Sequence, residues 1–116
     1  MSDISFFQDV LMRKKVLLVC ALALGFIQPA SASLAVIKKA RCNSCHAVEK
    51  KMVGPAFRDI AAKYAGNAEV SATLFAKVRD GGAGVWGQIP MTPNDEAKIS
   101  DADLNAAIAW ILGGAE

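Results

Sequence analysis

The chain has 116 residues, a formal charge of +2, 53% hydrophobic residues, three cysteines and one histidine. That length holds one domain and excludes a multidomain enzyme. His46 alone cannot build any site that needs two imidazoles from one chain, and three cysteines are too few for a disulfide-dense scaffold. The balanced charge argues against nucleic-acid binding, which usually shows a strongly basic face.

Arg13, Lys14 and Lys15 form a positive block, Val16 to Ile27 run apolar, and Pro29-Ala30-Ser31-Ala32 follows. This order reads as a secretory signal peptide, with cleavage expected after Ala32 and Ser33-Leu34-Ala35 as a second site. The apolar run is shorter than the roughly 20 residues a transmembrane helix needs. Met12, directly before the positive block, is an alternative start. Cys20 sits in mid-run behind Val19, not behind the small residue that lipid attachment wants, so it reads as a small hydrophobe removed with the leader. The expected organisation is a cleaved leader over 1–32 and one domain over 33–116. A domain this short buries a thin core and often needs a staple, whether disulfide, metal or cofactor.

Leu34 to Arg41 is a short candidate helix. Phe57, Ile60, Ala61 and Tyr64 recur at i, i+3, i+4, i+7 and mark a second, with Asp59 and Lys63 as an i, i+4 pair and Gly66 as its stop. Val70, Leu74, Phe75 and Val78 mark a third, ending near Asp80-Gly81. Ser100 caps a fourth, with Asp103 three residues on, Leu104, Ala107, Ile108, Ile111 and Leu112 along one face, and Gly113-Gly114 at its end. No strand with period-2 alternation is visible. The expected fold is therefore all-α, with one long irregular Gly/Pro-rich loop from Gly81 to Lys98.

Cys42-Asn43-Ser44-Cys45-His46 is C-x-x-C-H, the attachment sequence for c-type haem. Cysteines three apart lie about one helical turn from each other, so both thiols reach the two vinyl groups on one macrocycle edge, and the next residue falls beneath the iron. A structural zinc site wants four ligands, and only Cys42, Cys45 and His46 are available. A thioredoxin-like pair would need a βαβ context. For the opposite haem face the candidates are Met52, Met91 or a lysine. Met52 is too tightly tethered to His46 to pass around the ring and reads as a core or haem-packing methionine. Met91 lies between Pro90 and Pro93 in the long loop, a poor place for a core residue, and is the favoured ligand. Gly82-Ala83-Gly84-Val85-Trp86-Gly87 matches G-x-G-x-x-G, but no strand precedes it and Pro90 blocks a following helix, so it reads as a flexible loop close to the haem. Trp110 reads as core packing ahead of an electron relay. Lys38, Lys39, Lys50, Lys51, Lys77 and Arg79 either ring the haem edge as a docking surface or form a solvated face; both readings stay open.

Three blocks resemble the small bacterial class I cytochromes c of the c-551/c-552 type. They are Cys42 to His46; Lys51-Met52-Val53-Gly54-Pro55-Ala56 running into Asp59-Ile60-Ala61-Ala62-Lys63-Tyr64; and Gly84-Val85-Trp86-Gly87-Gln88-Ile89-Pro90-Met91-Thr92-Pro93-Asn94. With the Trp110-Ile111-Leu112 ending, the likeness runs from about Ala35 to Leu112. It implies about four short helices wrapped around one haem c held by Cys42 and Cys45, with His46 and Met91 as axial ligands of the iron. It further implies that the Pro55 carbonyl accepts from His46 Nδ1, that the Trp86 indole reaches a haem propionate, and that the Asn94 amide approaches the Met91 sulfur. Thr92, where relatives usually carry proline, and the tail Gly113-Gly114-Ala115-Glu116 depart from the pattern.

The function this implies is a soluble, monomeric periplasmic one-electron carrier and not an enzyme. Its donor would be a respiratory complex or another cytochrome, and its acceptor a nitrite reductase or terminal oxidase. The alternative is a haem domain with an open iron position and peroxidase or gas-sensing activity, which usually needs a distal acid or base. A third reading, a haem-free thiol protein cycling Cys42 and Cys45 as a disulfide, would lack the added mass of a haem.

Overall fold

The computed structural model describes residues 30–67 and 69–116. The expected leader lies outside the described residues except for 30–32, whose backbone opens the first helix. That helix, α1 (Ala30–Lys39), buries Ser33 and Ile37 and turns Lys38 and Lys39 to solvent, with Ala40 buried just past its end. It stops short of the expected Arg41 because Arg41 takes a left-handed φ of 60°, which swings the chain into a single 3-10 turn over Cys42–Ser44.

The second helix, α2 (Phe57–Lys63), starts without a side-chain cap. Its first amides donate instead to the loop that follows His46, Phe57 N to Ala47 O at 2.9 Å and Arg58 N to Val48 O at 3.1 Å. Orphan helix donors are thereby satisfied, and the start of α2 is fastened to the histidine loop. The expected Asp59–Lys63 pair does not form. Lys63 Nζ lies 5.3 Å from the Trp86 ring centroid and 5.9 Å from that of Tyr64. An exposed i, i+4 ion pair gives a few tenths of a kcal/mol, and a cation over aromatic rings gains at least as much.

The third helix, α3 (Val70–Asp80), runs as its apolar spacing predicts and ends at Gly81, where φ is 69°. Beyond it the loop is not wholly irregular. Strands β1 (Gly82–Gly84) and β2 (Gly87–Met91) form an antiparallel hairpin in which Gly82 faces Met91 and Gly84 faces Gly87. Val85 and Trp86 make its two-residue turn. Gly84 and Gly87 both sit at positive φ, 118° and 114°, which lets so short a turn close. The hairpin buries neither face, so its sequence carries no alternation to read.

The last helix, α4 (Asp101–Leu112), is the hub against which α1, α2 and α3 all pack. Ile37, Phe57 and Ala107 form one buried cluster, and Ala40, Ile99, Leu104 and Ile108 a second. The tail joins the first: Ala115 is 2% exposed, and Trp110 Nε1 donates to Glu116 O at 2.8 Å. Trp110 also meets Phe57 edge-on at 5.8 Å, a packing role as expected. At the other end Ser100 Oγ accepts from Asp103 N at 3.2 Å. Ser100→Ala is expected to cost about 1 kcal/mol. Thermal melting of the holoprotein should register that as a loss of roughly 4–8 °C, with the visible spectrum unchanged.

Candidate functional site

His46 is set by the backbone on either side of it. Its amide donates to Cys42 O at 3.0 Å, and Gly54 N donates to Cys45 O at 2.8 Å, closing the loop 46–54 back onto the C-x-x-C-H turn. Its Nδ1 lies 2.8 Å from Pro55 O. A carbonyl only accepts, so Nδ1 carries the proton and Nε2 keeps a free lone pair, the state in which imidazole binds metal. Phe57 stacks on the ring at 5.3 Å between centroids and 16° between planes. Gly54 closes the other approach. A Cβ there would collide with His46 Cε1 and lie 2.8 Å from Nδ1. Gly54 is thus a site residue whose role cannot be read from spacing.

Cys42 is half-buried and Cys45 exposed. Burial holds the Cys42 thiol above its ordinary pKa, partly opposed by the positive charge of Lys98.

Met91 is placed by the end of α3. The helix delivers its chain end at Gly81, whose backbone lies so close to Met91 and Thr92 that a Cβ would collide with Met91 O and sit 2.9 Å from Pro93 N. Asn94 is buried, and its Nδ2 donates to Thr92 O at 2.8 Å and to Val78 O at 3.2 Å. Those carbonyls, and not the Met91 sulfur, receive the amide expected to face the thioether. Arg79, grouped in the sequence with a surface lysine ring, is 16% exposed in its side chain and reaches inward to Asn94 O and Ile99 O. It therefore leaves that ring. Lys39 is within 3.8 Å of Asp103. Met52, expected in the core or against the haem, is 44% exposed in a tight turn where its amide donates to Gly54 O.

Between the two halves lies a cavity of about 340 Å³. Cys42, Cys45, His46 and Pro55 line it together with Met91, Trp86 and Asn94, so the sequence-predicted residues share one space. Its depth is apolar, formed by Leu74, Val78, Ile99, Leu104 and Ala107. The residues fit a haem. They offer thiols, an imidazole with its lone pair free and a thioether around a largely apolar slot, with a glycine where a side chain would strike the imidazole.

A C-x-x-C-H turn opening on an apolar slot within a small bundle of helices defines a haem domain of the c type. The Cytochrome c family model matches residues 34–115, and the chain belongs to the cytochrome c family, in its small c-551/c-552 type. It is 50% identical over 84 residues to cytochrome c-551 of Allochromatium vinosum, covering 72% of this chain and 87% of that protein. Against cytochrome c-552 of Nitrosomonas europaea the identity is 52% over 91 residues, covering 78% and 84%. The crystal structure of wild-type Nitrosomonas europaea cytochrome c552 superposes with a TM-score of 0.63 at 49% identity, over 69% of this chain and 96% of that one. The prosthetic group of the family is one covalently attached haem c, and its chemistry is electron transport.

Proposed function

We propose that the chain is a soluble periplasmic one-electron carrier, exported by a leader over 1–32 and acting as the domain 33–116. Cys42 and Cys45 would hold the haem through thioether bonds, and His46 and Met91 would ligate its iron. Haem iron supplies a one-electron couple, Fe(II)/Fe(III), whose potential methionine–histidine ligation raises. The observation that carries this reading is the His46 Nδ1–H bond to Pro55 O, which leaves Nε2 free in the same cavity that Met91 lines.

The residues do the rest by holding still. Pro55 and Phe57 fix the imidazole plane, and Asn94 ties the methionine loop to α3. The apolar lining excludes water from the iron's surroundings. Trp86, at the rim beneath Lys63, would offer its indole N–H to a haem propionate. With His46 and Met91 both ligating, no iron position would stay open, and the chain has no second histidine for distal acid–base work, so the reading is a carrier and not an enzyme. A redox titration followed by visible spectra tests this. The oxidised holoprotein should show iron–methionine charge-transfer absorption, and the reduced form should not bind carbon monoxide. Carbon monoxide binding would favour the open-site alternative.

Partners, a respiratory complex or cytochrome as donor and a nitrite reductase or terminal oxidase as acceptor, dock on the cavity rim. The contact would be a transient one, below about 1,200 Å². That rim exposes Val53, Val85 and Ile89, the last 66% exposed. Arg41, Lys77 and Lys98 line the same cavity and Lys63 stands over Trp86, so apolar and basic groups share this face. The small net charge of the chain supports electron exchange that depends only weakly on ionic strength. Stopped-flow rates that fell steeply with salt would restore the lysine ring as the docking surface.

A further inference from the structure

We propose that Arg79 is a positioning residue for Met91, acting as a brace that keeps the methionine loop from swinging away from the iron; the proposal rests on Met91 being the second axial ligand. Arg79 Nη1 donates to Asn94 O at 3.0 Å and to Ile99 O at 2.9 Å, and Nη2 donates to Asp101 Oδ1 at 2.5 Å. The guanidinium lies over the Phe75 ring, 5.1 Å from its centroid. One side chain of α3 thus fastens both ends of the segment between Met91 and α4. Asn94, at the near end, returns two bonds to Val78 O, from its amide N at 3.0 Å and its Nδ2 at 3.2 Å. Loop and helix are tied in both directions.

A planar fork suits this task. It presents several donors in fixed directions, which a lysine ammonium cannot reproduce, and a charged donor to a carbonyl makes a strong hydrogen bond. A thioether is a neutral, weak ligand, so how long it stays on iron depends on how rarely its loop opens. A brace that acts at Asn94 and Ile99 holds the loop closed without touching the metal.

The test is the rate at which imidazole displaces Met91 in the oxidised holoprotein, read from loss of the iron–methionine absorption. In Arg79→Gln the displacement should be at least about tenfold faster than in wild type, equivalent to roughly 1.4 kcal/mol of loop opening. Arg79→Lys should fall between the two, and it carries the test should the glutamine variant not fold. Asp101→Asn, which keeps both carbonyl bonds, should stay near wild type. In a Met91→Ala background, which has no iron–methionine absorption to lose, imidazole binding is followed by the shift of the main haem band, and Arg79→Gln should leave its rate unchanged because no gate remains. An unchanged displacement rate in Arg79→Gln alongside a lower melting temperature would make Arg79 merely structural and overturn the proposal. An Asp101→Asn rate equal to that of Arg79→Gln would also overturn it, by moving the effect to the start of α4. Wild-type protein without iron–methionine absorption would instead remove the ligand assignment, and the brace with it.

Discussion

Met91→Ala should strip the oxidised holoprotein of its iron–methionine absorption and lower its reduction potential on the order of 0.1 V, a modest part of the roughly 0.8 V that axial ligands span. The direction follows from losing the thioether, the ligand that together with histidine raises the potential. The fold should survive. Met91 ends β2, outside both buried clusters, and the loop after it is held by Asn94 and Arg79 through groups the substitution does not touch. Far-UV circular dichroism should therefore stay near wild type while the visible spectrum changes. Carbon monoxide should now bind the reduced form, converting a closed carrier into the open-site haem that the sequence offers as its alternative. An unaltered oxidised spectrum would end the assignment of Met91. Because Met52 is exposed in the turn before Gly54, it has no route to take over.

What could be read from the residues in order was what depends on near neighbours. The four helices follow from apolar spacing, and Ser100 with Asp103 marks the start of α4 because a cap is a contact between residues three apart. The C-x-x-C-H turn announces its chemistry for the same reason. The hairpin was not legible: Gly82–Gly84 and Gly87–Met91 leave both faces in solvent, and a Val-Trp turn lacks the Asn-Gly signal of two-residue loops. Arg79 looked like one more surface cation because its partners, Asn94, Ile99 and Asp101, lie 15, 20 and 22 residues away. Lys63 turned to Trp86, across the fold, in preference to Asp59 one turn back. Gly54 and Gly81 could be quoted as part of a family block, yet their reason is a missing side chain. Only the positions of His46 and Met91 reveal that there is no room for one.

That missing room makes Gly54→Ala the most disruptive single methyl group to add. The new Cβ would strike His46 Cε1 and lie 2.8 Å from Nδ1 and 2.9 Å from Nε2, so the whole ring edge is in the way. Neither partner can yield. The imidazole is stacked on Phe57 and bonded to Pro55 O, while Gly54 is bonded through its N to Cys45 O and through its O to Met52 N at 3.0 Å. Overpacking of this kind costs about 1–3 kcal/mol. In a domain of this size that lowers the melting temperature by roughly 4–8 °C per kcal/mol. Gly66→Ala is the contrasting control: its φ of 77° is unfavourable to a side chain, a strain that Gly54 does not carry, and nothing lies within 4 Å of the added atom. It should show the backbone cost alone, about 1 kcal/mol, and leave the haem spectrum intact. Gly54→Ala should exceed that loss and also shift the reduction potential, since displacing the ring weakens the Pro55 bond that tunes His46 as a ligand. Equal melting losses in the two variants, with identical spectra, would mean that the imidazole is free to move and that the wall formed by Gly54 does not position it.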